Sequence, residues 1–572
     1  MMNLGEAAIF AGLSGDALAE IALQLRVRRL QPNELLFMQG EYGVSLFVIQ
    51  NGLLQVFLQH AGGTTPLARL RGGDVIGEGA LIVGGTRTAS AMAILPSEVL
   101  ELTQEAFIAL YERHPQVLSN LVRILSQRLT HTNSRADEHR RRGETVALVL
   151  CPPEAAIAEA LIAATRNACP HTVAAIDLTG VLAAAPGVQQ RRSVEAALAT
   201  VDKIRSDYAT IPVLTSAGQT DLPSLLDTME RVLWVGSPAA IAEAAARRPP
   251  DRTAAAIPLT ASPERAPTLA GLPVARTIRP GHPEDLEWLG RHLARTKLGL
   301  ALGGGGAKAY AHIGVMQVLE NAGMAVDYLA GASGGALVGA LLAMGLGAAG
   351  AETSMRRHMT PENSAVLMKG MLGGAEPQNL MIRVLREMTL DCTFEDLETP
   401  LVILTVNADT RRPYPITSGP VWEALLASWS LPGALPPFIR DGQRLVDGVV
   451  MAPVPTSHVM QAGADVTVGI DVLSSTLPAW PGEKPPDPKA PRPAMNIVEA
   501  LVDTMELGYA DASARQAALA DVTMTPQFGP SGYRDFHLAD RFVAAGREEA
   551  LAKLPALERL VRPLVRSRRA CV

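Results

Sequence analysis

The chain has 572 residues, of which 48% are hydrophobic, so it can form several buried cores. Acidic residues outnumber basic ones by 57 to 51, and the net charge of −6 argues against a general nucleic-acid binder. Its four cysteines are scattered without the spacing of a metal site, which is typical of a protein from a reducing compartment. Together these features predict a multidomain protein of the cytoplasm, and the pattern of apolar runs along the chain predicts an α/β class overall.

The N-terminal part, residues 1–134, is predicted to be a small β-roll with helices. Short apolar runs alternate with glycine turns from Leu35 to Leu102, as in a compact sheet structure. A carboxylate there, Glu78, can accept from a ribose hydroxyl, and an arginine nine positions later, Arg87, can bind a phosphate through paired hydrogen bonds. With neighbouring backbone N–H groups, an anion pocket is predicted from Gly77, Glu78, Arg87, Thr88 and Ala89.

This stretch resembles the phosphate-binding cassette of the cyclic nucleotide-binding domain, except that Gly79 replaces a commoner aliphatic residue. The resemblance implies cAMP or cGMP as an effector, with the ribose on Glu78 and the phosphate on Arg87. It also implies that the region Gln104–Asn133 supplies the hinge and lid helices. A domain that keeps this fold and binds no nucleotide is the alternative.

The middle part, residues 145–294, is predicted to be a small α/β spacer domain with a mainly parallel sheet. Ala-rich helical stretches alternate there with five apolar runs: Thr145–Leu150, Val173–Leu178, Ile211–Leu214, Arg231–Val235 and Ala254–Leu259. It carries no glycine fingerprint for phosphate, so we expect a scaffold or coupling role. The charged stretch Arg135–Glu144 is predicted to be the linker that precedes it.

A serine turn in the last part of the chain, residues 297–572, is the first candidate for catalysis. The stretch Gly331–Gly335 reads GASGG and fits G-x-S-x-G, in which Gly331 and Gly335 let the chain turn sharply from a strand into a helix. The predicted strand is Ala325–Leu329 and the predicted helix is Gly335–Met344. Ser333 would then lie at a helix start, where the helix dipole favours developing negative charge.

A second glycine-rich loop precedes the serine turn. It follows the apolar run Leu298–Leu302 and leads into a helix predicted from about Tyr310 to Asn321. Without Cβ atoms, its backbone N–H groups can approach the oxyanion of a tetrahedral intermediate. The predicted oxyanion donors are Gly303, Gly304, Gly305 and Gly306.

A carboxylate that follows both loops is the candidate base, because a free serine hydroxyl is a poor nucleophile. The stretch Gln443–Val449 reads QRLVDGV and ends a short apolar run with Asp-Gly, which predicts Asp447 at a strand end. Further along, the Pro-rich stretch Pro478–Pro493 is predicted to be an exposed loop of the same domain.

These pieces together resemble the patatin-like phospholipases of the neuropathy target esterase branch, over roughly Lys297–Leu560. The stretches that carry the resemblance are LGGGGAKAYAHIGV from Leu302, SLPGALPP from Ser430, and the tail from Asp535 to Glu548. The family has an α/β hydrolase fold and a catalytic serine–aspartate pair. The resemblance therefore implies Ser333 as nucleophile and Asp447 as base.

A serine–acid–histidine triad is the rival mechanism, because that is the chain order in α/β-hydrolases. His458 and His537 both follow Asp447. The first lies at the start of a predicted helix and the second in a polar stretch. We expect each to be a surface or capping histidine, and we predict the dyad.

The uncharged stretch Tyr328–Ala351 is long enough to span a bilayer. Its seven glycines and the serine turn within it favour the buried nucleophile helix of a compact domain instead. Met1–Ser14 lacks a basic region and is not predicted to be a signal peptide. We therefore expect a cytoplasmic protein, peripheral to a membrane surface.

The family resemblance implies a serine esterase for acyl esters of phospholipids or lysophospholipids. It implies no catalytic cofactor, no metal and no nucleic-acid partner, with a cyclic nucleotide as regulator. The alternative is a non-catalytic cyclic-nucleotide sensor whose patatin-like domain serves as an interaction or membrane-docking module. The intact Ser333, Asp447 and glycine loop favour the enzyme.

Overall fold

The computed structural model forms two compact units, Met1–Arg141 and Arg142–Val572. It describes residues 7–562 apart from 11, 32–33, 61–62, 79–84, 94–95, 115, 118–119, 122–143, 153, 206, 248–253, 261–267, 270, 361–362, 364–374, 433–434, 476, 478, 481 and 484–496. All but the last residue of the predicted linker, most of the Pro-rich stretch and much of the predicted lid-helix region lie outside the described residues. The domain boundaries at 134, 145, 294 and 297 stay a prediction.

The first unit contains the predicted β-roll with helices. Two four-stranded antiparallel sheets have the orders β1-β8-β3-β6 and β2-β7-β4-β5. The inward-facing side chains of the two sheets form two apolar clusters. The helices pack against the cluster on the sheet of order β1-β8-β3-β6. The elements are α1 (Gly15–Gln24), β1 (Arg26–Leu30), β2 (Leu35–Phe37), β3 (Ser45–Asn51), β4 (Leu53–His60), β5 (Gly63–Arg71), β6 (Val75–Ile76), β7 (Ser90–Ala93), β8 (Ser97–Thr103) and α2 (Gln104–Arg113).

The second unit begins with a six-stranded parallel sheet of order β11-β10-β12-β9-β13-β14. All five predicted apolar runs lie on its strands, so the predicted parallel α/β architecture is confirmed. The central strands are buried on both faces, as expected for a sheet covered by helices. The elements are β9 (Glu144–Cys151), α3 (Ala155–Ala168), β10 (Ala175–Asp177), β11 (Val188–Gln190), α4 (Val194–Ile204), β12 (Thr210–Ser216), α5 (Leu222–Thr228), β13 (Arg231–Gly236), α6 (Pro238–Arg247), β14 (Ala254–Pro258), β15 (Thr268–Leu269), β16 (Leu272–Pro273) and α7 (Pro283–Ala294).

An eight-stranded sheet follows in the same unit, with the order β21-β22-β19-β18-β17-β23-β24 and β20 paired to β19. Strands β19, β18, β17, β23 and β24 are parallel, so their carboxyl ends share one edge. The elements are β17 (Leu298–Leu302), α8 (Tyr310–Asn321), β18 (Val326–Ala332), α9 (Gly334–Ala343), α10 (Gly347–His358), α11 (Ala375–Thr389), β19 (Leu401–Asn407), β20 (Arg412–Ile416), α12 (Val421–Ser428), β21 (Phe438–Arg440), β22 (Gln443–Asp447), α13 (Thr456–Ala462), β23 (Val466–Ile470), α14 (Ile497–Ala517), β24 (Val522–Met524) and α15 (Ala539–Glu558).

Within the described residues, no helix has the length and apolar character needed to cross a membrane. The uncharged stretch Tyr328–Ala351 is instead divided among β18, the buried helix α9 and the start of α10. The structure thus places the nucleophile helix α9 inside the protein core, while Leu346 near the end of the stretch is exposed.

Helices α8 and α15 pack at backbone distance because glycines meet at their crossing. A Cβ atom on Gly314 would lie closer than 3.0 Å to the carbonyl oxygen of Val543, and one on Gly546 would lie equally close to that of Ala311. Any side chain at either position must push the helices apart. This contact fixes α8, the helix that follows the glycine loop.

We predict that Gly314→Ala lowers the free energy of unfolding by about 1–3 kcal/mol, because the added methyl overpacks the helix crossing. Gly508→Ala on α14 is the matched control, since its Cβ would meet nothing within 4 Å. It should be neutral or stabilising by up to about 1 kcal/mol through helix propensity. Equal unfolding midpoints for the two variants in denaturant titrations would contradict this account.

Candidate active site

Ser333 is the single residue between the last residue of β18 and the first residue of α9. Its backbone has φ 50° and ψ −123°, a conformation that residues with a side chain rarely adopt. A Cβ on Gly335 would lie closer than 3.0 Å to the carbonyl oxygen of Leu302, and one on Gly331 equally close to Ala336. The predicted strand–serine–helix turn is therefore present, and both flanking glycines are required by close backbone approach.

Asp447 is the last residue of β22 and is buried, with 1% of its surface exposed. One carboxylate oxygen accepts from the Val449 backbone N–H at 2.9 Å, and the Ser333 side chain lies near the same carboxyl group. Burial raises the pKa of Asp447 to about 7, although the Val449 amide and the Ser333 side chain act to lower it. The structure thus brings together a serine and a carboxylate that can exchange a proton near neutral pH.

Both residues line one largely apolar cavity. Its other lining residues are mainly methionine, leucine, aromatic and glycine residues, with one acidic and one basic side chain: Gly305, Gly306, Gly334, Leu337, Met355, Met359, Met381, Trp429, Leu431, Leu435, Val449, Leu473, Met505, Glu506, Tyr509, Tyr533, Arg534 and Phe536. Such a lining suits a long hydrocarbon chain. The methionines can adapt to its shape because their side chains are unbranched and flexible.

Among the described residues, no histidine lines this cavity. His458 lies half-buried on α13, where its ring is 3.4 Å from the Ser457 hydroxyl. The side chain of His537 is 68% exposed and lies 4.0 Å from Asp535. The structure therefore brings neither of the two histidines of the rival triad to the Ser333–Asp447 pair.

Two of the four glycines predicted as oxyanion donors do not have a free backbone amide. The Gly303 and Gly304 amides already donate to the carbonyl oxygens of Ile470 and Pro453, each at 3.0 Å. These two donors are therefore committed to the backbone of neighbouring loops, so the prediction was wrong for both amides in this conformation.

The next two glycines remain candidate donors. The amides of Gly305 and Gly306 have no hydrogen-bond acceptor in the described part of the chain, and both residues line the cavity beside Ser333. Gly306 has φ 56°, and a Cβ there would lie closer than 3.0 Å to Tyr533. No residue with a side chain would fit at this position.

A buried histidine, which the sequence analysis did not single out, holds the same loop. His312 on α8 lies with its Nε2 2.8 Å from the Gly303 carbonyl oxygen, so the neutral ring donates there. Burial lowers its pKa to about 4, which keeps the ring neutral at physiological pH. A histidine in an otherwise apolar helix was the sequence signal that could have identified it.

An ion pair joins the glycine loop to α14. Lys308 is buried, and its Nζ lies 3.0 Å from a carboxylate oxygen of Glu506, which lines the cavity. Tyr509, one turn further along the helix, also lines the cavity, and burial raises its pKa to about 12. α14 therefore forms one wall of the cavity, and the loop with the candidate oxyanion donors is tied to that wall.

In the β-roll, the structure brings Gly77 and Arg87 into contact. The buried guanidinium donates to the carbonyl oxygens of Gly77 and Ser45, each at 2.8 Å, and stacks on the ring of Phe37 at 4.4 Å. Burial lowers the pKa of Arg87, and the nearby carboxylates of Glu41, Glu78 and Glu101 act in the opposite direction.

The remaining predicted pocket residues follow Arg87 directly, with Thr88 exposed and Ala89 buried. Residues 79–84, between the two halves of the predicted pocket, lie outside the described part of the chain. The predicted phosphate ligand, Arg87, is thus engaged by protein carbonyl groups in this structure.

Comparison with known proteins assigns both regions. The model of the patatin-like phospholipase family matches residues 300–460, which include Ser333 and Asp447. The model of the cyclic nucleotide-binding domain matches residues 27–114, which include Glu78 and Arg87.

Several known proteins are similar to this chain over part or nearly all of its length. An uncharacterized NTE family protein of Mycobacterium tuberculosis is 25% identical, over 97% of this chain and 96% of its own. Patatin-like phospholipase domain-containing protein 7 of Mus musculus is 24% identical, over 80% of this chain and 39% of its own. The lysophospholipase NTE1 of Mycosarcoma maydis is 31% identical, over 35% of this chain and 11% of its own.

Residues 300–460 thus match a patatin-like phospholipase domain, which assigns the chain to the carboxylic ester hydrolases by class. The chain carries a cyclic nucleotide-binding domain ahead of the phospholipase domain and is similar to an NTE family protein over nearly its whole length.

The raised pKa of Asp447 predicts the pH dependence of hydrolysis. If Asp447 is the base, it must be ionised, so kcat/KM for an uncharged ester should fall about tenfold per pH unit below about pH 7 and level off above it. A kcat/KM that stays flat from about pH 5 to pH 9 would contradict the role of Asp447.

The raised pKa of Asp447 also determines how the stability of the protein depends on pH. Because the folded pKa lies above the unfolded value of 3.8, the folded protein holds this proton more tightly, and stability is lost as pH rises from about 4 to about 7. We therefore predict that Asp447→Asn unfolds at a higher temperature than wild type at about pH 8 and at a similar temperature at about pH 3.

Proposed function

We propose that the chain is a serine esterase that hydrolyses acyl esters of phospholipids or lysophospholipids through a Ser333–Asp447 dyad. The observation that carries this proposal is the placement of Ser333, in its strand–helix turn, beside the buried Asp447 carboxyl, with both residues lining one apolar cavity. The lysophospholipase activity named for the fungal relative supports the substrate class.

In the proposed reaction, Asp447 takes the hydroxyl proton as Ser333 Oγ attacks the ester carbonyl carbon. The N–H groups of Gly305 and Gly306 stabilise the oxyanion of the tetrahedral intermediate. Its collapse expels the alcohol, which takes the proton from Asp447, and leaves an acyl group on Ser333. Water then attacks this ester, with Asp447 again as the base, and releases the fatty acid.

The two ends of the substrate require different surroundings. We assign the methionine and leucine side chains of the cavity to the acyl chain, since they offer apolar contact along its length. We assign Arg534, a cation that lines the same cavity, to the phosphate of the headgroup, because a guanidinium binds phosphate oxygens in pairs. This division suits an amphipathic ester at a membrane surface, where the cytoplasmic enzyme would act peripherally.

Single substitutions distinguish the dyad from the triad. We predict that Ser333→Ala and Asp447→Asn each lower kcat by at least about 10³ on lysophosphatidylcholine and on a p-nitrophenyl ester, because each removes one half of the nucleophile–base pair. His458→Ala and His537→Ala are the matched controls and should retain most activity. A histidine variant as inactive as Ser333→Ala would establish the triad instead.

We further propose that cAMP or cGMP binds the β-roll and regulates the esterase. The support is the match to the cyclic nucleotide-binding family and the proximity of Gly77 and Glu78 to Arg87. Binding of the phosphate requires the Arg87 guanidinium to exchange its acceptors on Gly77 and Ser45 for phosphate oxygens. Because Arg87 is already fixed by stacking on Phe37, little rotamer freedom is lost in that exchange.

Nucleotide binding is tested by calorimetry and thermal unfolding of the full chain. Binding to the folded state alone stabilises it by about 2.7 kcal/mol at a hundredfold excess over Kd, so the unfolding midpoint should rise. Glu78→Gln and Arg87→Lys should weaken binding, whereas Arg29→Ala, which removes a largely exposed arginine of the same domain, should not. No heat and no midpoint shift with either nucleotide would leave the β-roll a structural domain.

A further inference from the structure

Three consecutive residues at the end of α12 contact the backbones of both Ser333 and Asp447. The first is Ser428, which is fully buried and accepts a hydrogen bond from the Ser333 backbone N–H at 2.9 Å. Its own hydroxyl proton is donated to the Leu404 carbonyl oxygen at 2.7 Å. With that proton committed to β19, the oxygen lone pairs of Ser428 are directed at the amide of the serine turn.

The second residue, Trp429, holds the other side of the same turn. Its indole Nε1–H donates to the Ser333 carbonyl oxygen at 3.0 Å, and the residue also lines the cavity. The same carbonyl accepts the Ala336 amide of α9 at 3.0 Å. Neighbouring side chains of one helix end thus bind both backbone polar groups of Ser333.

The third residue, Ser430, reaches the carboxylate. Its backbone carbonyl accepts the Asp447 N–H at 2.9 Å. Its side chain is used elsewhere, because the hydroxyl donates to the Leu426 carbonyl oxygen at 3.0 Å within the helix end. One tripeptide therefore sets the distance between the Ser333 turn and the strand end that carries Asp447.

We propose that Ser428 and Trp429 are positioning residues for hydrolysis, which hold Ser333 in its strained conformation with Oγ directed at Asp447. A strained backbone such as that of Ser333, with φ 50°, persists only where several surrounding groups hold it in place. The Ser428 hydroxyl and the Trp429 indole are two such groups, and neither touches the reacting oxygen of Ser333 through these bonds.

The hydrogen bond to Ser428 also removes the Ser333 N–H from the possible oxyanion donors. Because the Ser333 N–H is bound by Ser428, it does not donate to the substrate, and stabilisation of the oxyanion is left to other amides that line the cavity. The inference rests on the proposed function, since it assigns the geometry of that same nucleophile.

A matched pair of variants tests this role. Ser428→Ala and Thr389→Val each remove one buried hydroxyl that donates to a backbone carbonyl, but only Ser428 contacts Ser333. We expect Ser428→Ala to lower kcat by about 10- to 100-fold with little change in KM, because small misplacement of a reacting group can cost about 10²-fold. The rate at which a fluorophosphonate labels Ser333 should fall in proportion, while Thr389→Val should stay within about twofold of wild type.

A second variant covers the case in which Ser428→Ala does not fold. Trp429→Phe keeps an aromatic ring but removes the Nε1–H donor to the Ser333 carbonyl. With a short p-nitrophenyl ester, which makes little use of the acyl cavity, kcat and the labelling rate should again fall together.

The outcomes separate this inference from the proposed function. The positioning role is overturned, and the esterase stands, if wild type is labelled at Ser333 but Ser428→Ala has the same kcat and labelling rate as Thr389→Val. The same conclusion follows if Trp429→Phe has the same kcat and labelling rate as wild type. If wild type hydrolyses esters but is labelled at another residue, the Ser333 nucleophile fails, and the positioning role with it.

Discussion

The close approach of two glycine-rich loops is the constraint on which the site depends. β17 and β18 are parallel neighbours, so the loops that follow them leave the same edge of the sheet. A Cβ on Gly335 would lie closer than 3.0 Å to the backbone of the first loop, and one on Gly304 would lie 3.2 Å from the Ser333 Cβ. Only a pair of loops without side chains at these positions can bring backbone N–H groups beside the serine.

Burial of Asp447 links the proposed chemistry to stability. Desolvation raises the pKa of Asp447 to about 7, which is suitable for a base at neutral pH. The same desolvation makes the ionised carboxylate destabilising to the folded state. The hydrogen bond to the Val449 amide offsets part of this cost. The fold is therefore expected to be less stable with the ionised group than with an asparagine, while the activity depends on the ionised group.

The local pattern of apolar runs and glycine turns in the sequence was sufficient to predict several elements of the site. β17 and the helix Tyr310–Asn321 have the predicted bounds, and Asp447 lies at a strand end as predicted. What depends on distant partners was not predictable. The Gly303 and Gly304 amides are bound by Ile470 and Pro453, which lie far along the chain, and Arg87 is bound by Ser45. The prediction of an exposed loop at Pro478–Pro493 was wrong for Trp480, which is 9% exposed and packs against Phe528 and Phe542.

The central claim is that Ser333 carries the acyl group during turnover. Rapid quenching of the wild-type enzyme with a lysophospholipid substrate, followed by peptide mass spectrometry, measures this directly. The account predicts an increase equal to the fatty acyl mass on the peptide that contains Ser333, formed at least as fast as the fatty acid is released. It also predicts much slower formation of that adduct in Asp447→Asn. An acyl adduct on any other residue would contradict the account, as would full-rate hydrolysis in Ser333→Ala.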